Sequence, residues 1–263
     1  MNERWLVAVD LDGTLFDHSL QIAPPVQRAI RAVQRKGHAL TLATGRMYRA
    51  TRPFAEALKI DLPLICYQGA LLRNEARTFA HWRLPLPIAH EVIALAEARD
   101  IAANLYIDDR LFVAEPREEN EFYGMLSRNV TIESVGPLSN FMAAPPTKIV
   151  LIVDEKEVPA LLDEATARWG GLAQVVRSHA RFVELTHSEA SKGNALRHLA
   201  ADLEIPMART MAIGDNLNDL SMVQAAQVGV AMGNADPALK AVADRVVPSL
   251  SDHGLAVALD ALL

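Results

Sequence analysis

Cysteine is almost missing from the chain: Cys66 stands alone among 263 residues. No disulfide can form within the chain, and its place in the apolar run Leu64-Ile65-Cys66-Tyr67 reads as a buried structural thiol suited to a reducing cytoplasm. Long apolar runs are lacking too. The stretch Trp5 to Val9 is stopped by Asp10, too short for the core of a signal peptide, and nowhere do about 18 uncharged apolar residues follow one another. Export and membrane spanning are therefore not expected. No segment gathers Lys and Arg into a dense run, and 26 basic against 32 acidic residues leave a formal net charge of −6. That balance speaks against nucleic-acid binding through phosphate contacts. Gly (13) and Pro (14) are too few for a collagen-like or disordered chain, and 51% hydrophobic with 22% charged residues describes an ordinary globular protein. At about 150 residues per domain, the length allows one large domain or two modest ones.

Along the chain, short continuous apolar runs alternate with helical patterns. Trp5 to Val9 reads as a strand covered on both faces, which a parallel sheet provides. Pro24-Pro25 opens a helix with Val26, Ile30 and Val33 at helical spacing, and Gly37 closes it. Ala39 to Ala43 and Leu62 to Tyr67 read as strands flanking a helix that begins near Tyr48. The C-terminal part repeats this grammar: helix from Lys192 to Leu203, strand at Met211-Ala212-Ile213, helix from Leu217 to Ala225, strand at Val228 to Ala231. Between about Leu84 and Phe182 it loosens into helices at Ile88 to Arg99 and Val158 to Trp169 among the runs Leu105 to Ile107, Leu111 to Val113 and Lys148 to Val153. Asp108-Asp109-Arg110 suggests a hairpin turn. The expected fold class is α/β: a doubly wound, mainly parallel Rossmann-like core made of residues 1–83 and 183–263, with an α/β domain inserted at 84–182. The acidic cluster Glu115 to Glu121 reads as a solvated face.

Four segments carry chemistry. Asp10-Leu11-Asp12-Gly13-Thr14 follows the first strand, where ligands bind in open α/β sheets. Two carboxylates at i and i+2 project to one side, and Gly13 permits a sharp turn. Thr44-Gly45-Arg46 follows the second strand; a hydroxyl with exposed N–H groups suits a phosphate oxygen, although alone it reads as an ordinary turn. Lys192 begins a helix, where it is either a fixed cation for a phosphoryl group or a solvated lysine. Gly214-Asp215-Asn216-Leu217-Asn218-Asp219 again ends a strand in acids and amides. Asp215 can join Asp10 and Asp12 around a hard cation such as Mg²⁺, which would offset the repulsion among three acids. Helix capping is the other reading of Asn216 and Asp219. No paired His spacing supports zinc.

Taken in order, Asp10-Leu11-Asp12-Gly13-Thr14-Leu15, Thr44, Lys192 and Gly214-Asp215 with Asn218-Asp219 resemble the four motifs of the haloacid dehalogenase superfamily of phosphatases. Ala43-Thr44-Gly45-Arg46, Ser191-Lys192-Gly193-Asn194-Ala195-Leu196 and Val230-Ala231-Met232-Gly233-Asn234-Ala235 extend the resemblance to its Cof-type subclass (IIB), in which a large α/β cap is inserted between the second and third motifs. The sequence departs from that pattern at Gln68-Gly69-Ala70, where Asn-Gly-Ala is usual, and at Ser251-Asp252-His253-Gly254-Leu255.

The resemblance implies a Mg²⁺-dependent phosphatase for small phosphomonoesters such as sugar phosphates or phosphorylated cofactors. Asp10 would be the nucleophile, forming an aspartyl-phosphate, and Asp12 the general acid and base. The carboxylates of Asp10 and Asp215 and the backbone oxygen of Asp12 would hold Mg²⁺. Thr44, Lys192, Asn218 and the N–H groups near Leu11 and Gly45 would surround the phosphoryl group, with Asp219 orienting Lys192 or metal-bound water. Arg46 is open between substrate contact and structural ion pair, and His179, Arg181 and His187 read better as surface groups than as substrate contacts. The cap would cover the site and select the leaving group. A cytoplasmic enzyme with a small phosphorylated metabolite as partner is expected, with neither nucleic acid nor membrane; the oligomeric state stays open, a monomer being compatible. Two other readings share these features: a phosphomutase or phosphotransferase, and a phospho-ligand sensor without turnover. No Gly-x-Gly-x-x-Gly follows the first strand, which argues against dinucleotide binding, and a P-type pump would need membrane helices.

Overall fold

A computed structural model describes residues 4–17, 19–118, 120 and 130–263. Its strands and its α-helices of six residues or more run in the order β1 (Leu6–Val9), α1 (Pro24–Arg35), β2 (Ala39–Leu42), α2 (Tyr48–Leu58), β3 (Leu64–Cys66), β4 (Leu71–Arg73), β5 (Thr78–His81), α3 (Leu86–Ala98), β6 (Ala102–Ile107), β7 (Arg110–Val113), β8 (Ile132–Ser134), β9 (Lys148–Ile152), α4 (Val158–Trp169), β10 (Ala173–His179), β11 (Phe182–His187), α5 (Lys192–Asp202), β12 (Thr210–Gly214), α6 (Leu220–Ala225), β13 (Val228–Ala231), α7 (Pro237–Val242), β14 (Arg245–Val246) and α8 (Gly254–Asp260). The chain divides into two compact units. The first comprises Met1–Gly45, Thr51–Ala80 and Ser191–Leu263; the second comprises Arg46–Ala50 and His81–Ala190.

The first unit is built on a five-stranded sheet in the order β14-β13-β12-β1-β2, parallel throughout. Every residue of β1, β2 and β12 is buried, the signature of a sheet covered on both faces. Helix α1 starts with its two prolines at the first helical positions and buries Val26, Ala29, Ile30 and Val33 on one stripe. Burying such aliphatic side chains stabilises by about 1.5–3 kcal/mol each for the larger ones. Gly37, just past the helix end, has φ +88°, as expected for a C-terminal cap. The segment after β2 is carried toward β3 by a parallel bridge between Ala43 and Ile65. β3, β4 and β5 form a small separate sheet; β4 and β5 carry no alternation that marks them in the sequence.

The second unit holds a six-stranded sheet in the order β10-β11-β9-β6-β7-β8. One face packs under α3 and α4, with Val92, Leu105, Ile149, Leu151, Val158, Trp169 and Leu185 in its core. β6 and β7 are joined by the two-residue turn Asp108-Asp109, both with positive φ (49° and 60°); this mirror-image turn suits the twist of a hairpin. Asp109 then accepts hydrogen bonds from the Tyr48 and Arg49 N–H groups, both at 2.9 Å, which caps the start of α2 and ties Arg46–Ala50 to this unit. The boundary expected at 182/183 falls inside the pairing of this sheet. β11 is antiparallel to β9 with Val183 opposite Leu151, so residues 183–190 belong to the second unit rather than to the core, as do Arg46–Ala50 and residues 81–83 of the expected first core segment. Of the acidic cluster, Glu115 pairs with Arg117, while Glu119 and Glu121 lie outside the described residues. Among the described residues no helix is long and apolar enough to cross a membrane.

Candidate active site

Strand register brings the first unit's motifs together. β1 lies between β2 and β12, with Val9 opposite Leu42 on one side and Ile213 on the other. The residues that follow, Asp10, Ala43-Thr44 and Gly214-Asp215, therefore leave three adjacent strands at the same end of the sheet, where loop chemistry converges.

Asp10 is 5% exposed, and its N–H donates to the Ile213 carbonyl at 3.0 Å. Beyond it the chain folds back on Leu11, whose carbonyl accepts the N–H groups of Leu15 and Phe16 at 2.8 and 3.1 Å. Gly13 has φ +89°, and a Cβ there would lie 2.2 Å from Asp215 Oδ2. Only glycine permits both the turn and this approach. The neighbouring Thr14 hydroxyl donates to Asp215 Oδ1 at 2.9 Å.

Lys192 begins α5, whose N-terminus is capped by the Ser191 hydroxyl accepting from the Asn194 N–H. The lysine is fully buried, and its Nζ donates to Asp10 Oδ1 at 2.6 Å and to Asp219 Oδ1 at 2.5 Å. Burial by itself favours the neutral amine, but the charges of Asp10 and Asp219 outweigh it and raise the Lys192 pKa, so this ammonium stays charged. Asp219 accepts with its other oxygen from the Asp215 and Asn216 N–H groups, at 2.9 and 3.0 Å. Both its oxygens are thus engaged in holding Lys192 and the turn that presents Asp215.

Oxygen atoms of Asp10, Asp215 and Asp219 lie within 4.8 Å of one another. Burial, followed by the nearby Asp219 and Asp215 charges, drives the Asp10 pKa well above its usual value despite Lys192. Burial and the charge of Asp219 likewise raise Asp215 to about 6. Crowded carboxylates offering oxygen donors are the ligand set of a hard divalent cation, and the close approach of Gly13 to Asp215 narrows the same space. Since Asp219 is occupied by Lys192 and two N–H groups, Asp10 and Asp215 are the better placed of the three to hold a metal.

Thr44 is 1% exposed; its N–H donates to the Ile65 carbonyl at 2.8 Å, and its own carbonyl accepts from the Gln68 N–H at 3.1 Å. Asn218 lies exposed on the helical turn Leu217–Asp219 and donates to Gln68 Oε1 at 3.1 Å. Asp12 is exposed, and its side chain is not a member of the three-acid cluster. Arg46, His179, Arg181 and His187 all belong to the second unit. There His179 and His187 accept backbone N–H groups two residues on, which stabilises their turns, and Arg181 donates to the Val153 carbonyl 28 residues away. Thr14 is a contact that the motifs leave without a task, although a hydroxyl directly after the Asp-x-Asp-Gly turn is its signal. Gln68, in the sequence a departure from a pattern, joins Thr44 and Asn218.

The chain matches the family model of haloacid dehalogenase-like hydrolases over residues 7–259. It is 30% identical over 278 residues to the phosphatase YwpJ of Bacillus subtilis, covering 95% of this chain and 97% of that protein. It is 27% identical to the 5-amino-6-(5-phospho-D-ribitylamino)uracil phosphatase YitU of the same organism, covering 96% and 95%. The crystal structure of TM0651 from Thermotoga maritima superimposes with a TM-score of 0.89 at 28% identity, covering 98% of this chain and 97% of that one. A family model matched over residues 7–259, with relatives and a solved structure that share the fold nearly end to end, makes the chain a phosphatase of the haloacid dehalogenase-like hydrolase family, in its Cof-type subclass.

Proposed function

We propose that the protein is a Mg²⁺-dependent phosphatase that cleaves small phosphomonoesters through an aspartyl-phosphate on Asp10. The observation that carries this reading is the buried cluster in which Lys192 bridges Asp10 and Asp219 beside Asp215. A site that merely bound phosphate would need cations and N–H donors, not three acids.

In this reading an Asp10 carboxylate oxygen attacks phosphorus and the ester oxygen departs as the alcohol, protonated by Asp12. Water then attacks the acyl phosphate after giving its proton to Asp12, releasing inorganic phosphate and restoring Asp10. The exposure of Asp12 and its place outside the acid cluster fit it for exchanging protons. Lys192, the Thr44 hydroxyl, the Asn218 amide and the N–H groups of Leu11 and Gly45 orient the phosphoryl oxygens and stabilise their charge. Asp219 keeps Lys192 and the Asp215 turn in place. Asp10, Asp215 and the backbone oxygen of Asp12 are the groups that would hold Mg²⁺, which when bound offsets the repulsion between an anionic carboxylate and an anionic ester.

We assign leaving-group selection to the inserted unit. The phosphorylated ribityl compound in the name of YitU supports a sugar-phosphate or phosphorylated-cofactor class of substrate. A panel of phosphomonoesters assayed with Mg²⁺ beside Asp10→Asn tests the mechanism. The variant is nearly isosteric and should lose about a thousandfold or more in turnover; retention of most activity would falsify the covalent route. Isomerised or transferred phosphate in place of free phosphate would point instead to a mutase or transferase.

A further inference from the structure

The turn after β3 is the part of the first unit that these roles leave unused. Tyr67, Gln68 and Gly69 have φ values of 52°, 58° and 95°, three left-handed residues in succession, two of them with side chains. Such a backbone persists where its surroundings impose it. Here they do so at three points, each within a segment assigned above to the phosphoryl group. The Gln68 N–H is bonded to the Thr44 carbonyl at 3.1 Å. A Cβ on Gly69 would lie 2.2 Å from the Ser191 carbonyl oxygen and 2.7 Å from the Lys192 nitrogen, so the turn presses on the first residue of α5. A Cβ on Gly45 would lie 2.4 Å from Gln68 Nε2, while Gln68 Oε1 accepts from Asn218 Nδ2 at 3.1 Å. One carboxamide thus rests on the Gly45 backbone with one end and holds the Asn218 amide with the other.

Resting on the phosphatase reading, we propose that Gln68 is a positioning residue that sets the Asn218 amide relative to the Thr44-Gly45 segment, so that donors from two distant loops present one arrangement to the phosphoryl group. Asn218 is exposed on a short turn, and an unanchored carboxamide there would rotate in water; its bond to Gln68 uses one of two N–H donors and orients the other. The length of the side chain matters. Asn in its place would be shorter by one methylene, which draws the amide back along the line of the present 3.1 Å contact with Asn218. The left-handed conformation at Gln68 aims the side chain along this line, and Gly45 leaves room for its amide.

The test is a double-mutant cycle of Gln68→Met and Asn218→Ala, with Gln68→Asn as a second variant. Its readouts are kcat and KM for p-nitrophenyl phosphate with Mg²⁺, the Kd of inorganic phosphate, and the melting temperature. Gln68→Met should lower kcat/KM about tenfold in the native background but less than about twofold when Asn218 is already Ala, since positioned groups couple and independent ones add. Gln68→Asn should behave like Gln68→Met, and the melting temperature should not track either loss. Equal losses in both backgrounds, no loss at all, losses that follow the melting temperature, or wild-type rates with Gln68→Asn would overturn the inference. If the unmodified protein hydrolyses nothing, the catalytic reading fails and the same cycle is read in phosphate affinity, where coupling supports the role of Gln68 and additivity or absence of binding overturns it. Turnover with an additive cycle sinks the Gln68 inference alone.

Discussion

Lys192 concentrates the energetics of the site in one side chain. Two of its three donors are spent on Asp10 and Asp219, and all three groups are buried. Such an arrangement is favourable only while every charge keeps its partner. Lys192→Met preserves the length of the side chain but leaves two acids facing each other, so the loss of stability should be about 3–5 kcal/mol in urea unfolding. Turnover should fall by about two to three orders of magnitude, as expected on removing charge stabilisation at the reacting group. Adding Asp219→Asn should recover part of the stability and none of the activity. A Lys192→Met protein as stable as the parent would mean that the acids take up protons at little cost.

At the scale of elements, the site is delivered by ends rather than by middles. β1 supplies Asp10 just past its last residue, α5 supplies Lys192 as its first, and α2 begins on hydrogen bonds from its Tyr48 and Arg49 N–H groups to Asp109. Helix α2 has no acidic residue in its first turn, so the partner of these N–H groups comes from a hairpin some sixty residues away. Asp109→Asn keeps a residue tolerant of positive φ but removes one of the two accepting oxygens and the negative charge at the helix N-terminus. The expected cost is about 0.5–2 kcal/mol, read as a lower urea midpoint. A stability unchanged from the parent would show that water replaces the cap. The hairpin itself was legible, because Asp-Asp between two apolar runs is turn chemistry. Its service to α2 was not, since nothing local links residue 109 to residue 48.

For the molecule as a whole, protons and metal compete for the same acids. Asp215 titrates at about 6 in the folded protein against 3.8 for the ordinary group, so between these values the native state keeps a proton that the unfolded chain has lost. Metal-free protein should therefore draw stability from this group at low pH and lose it as the pH rises through about 6. Mg²⁺ added at pH 7.5 should raise the melting temperature, with about 2.7 kcal/mol of stabilisation at a hundredfold excess over its Kd. The rise should shrink at pH 5 and in Asp215→Asn. Melting curves of chelator-treated protein at the two pH values, with and without Mg²⁺, decide this; a Mg²⁺ effect independent of pH would remove these acids from the metal site. The local chemistry was legible along the chain: apolar runs of strand length, each followed by an acid, a hydroxyl or an amide, and a lysine at a helix start. Those features depend on short-range periodicity and residue type. Folding in three dimensions was needed to place β1 between β2 and β12, to pair β11 with β9 rather than with the core, and to bring Gly13 to Asp215 and Gly45 to Gln68. These are contacts between segments far apart in the chain, set by strand register and close packing, and no local pattern encodes them.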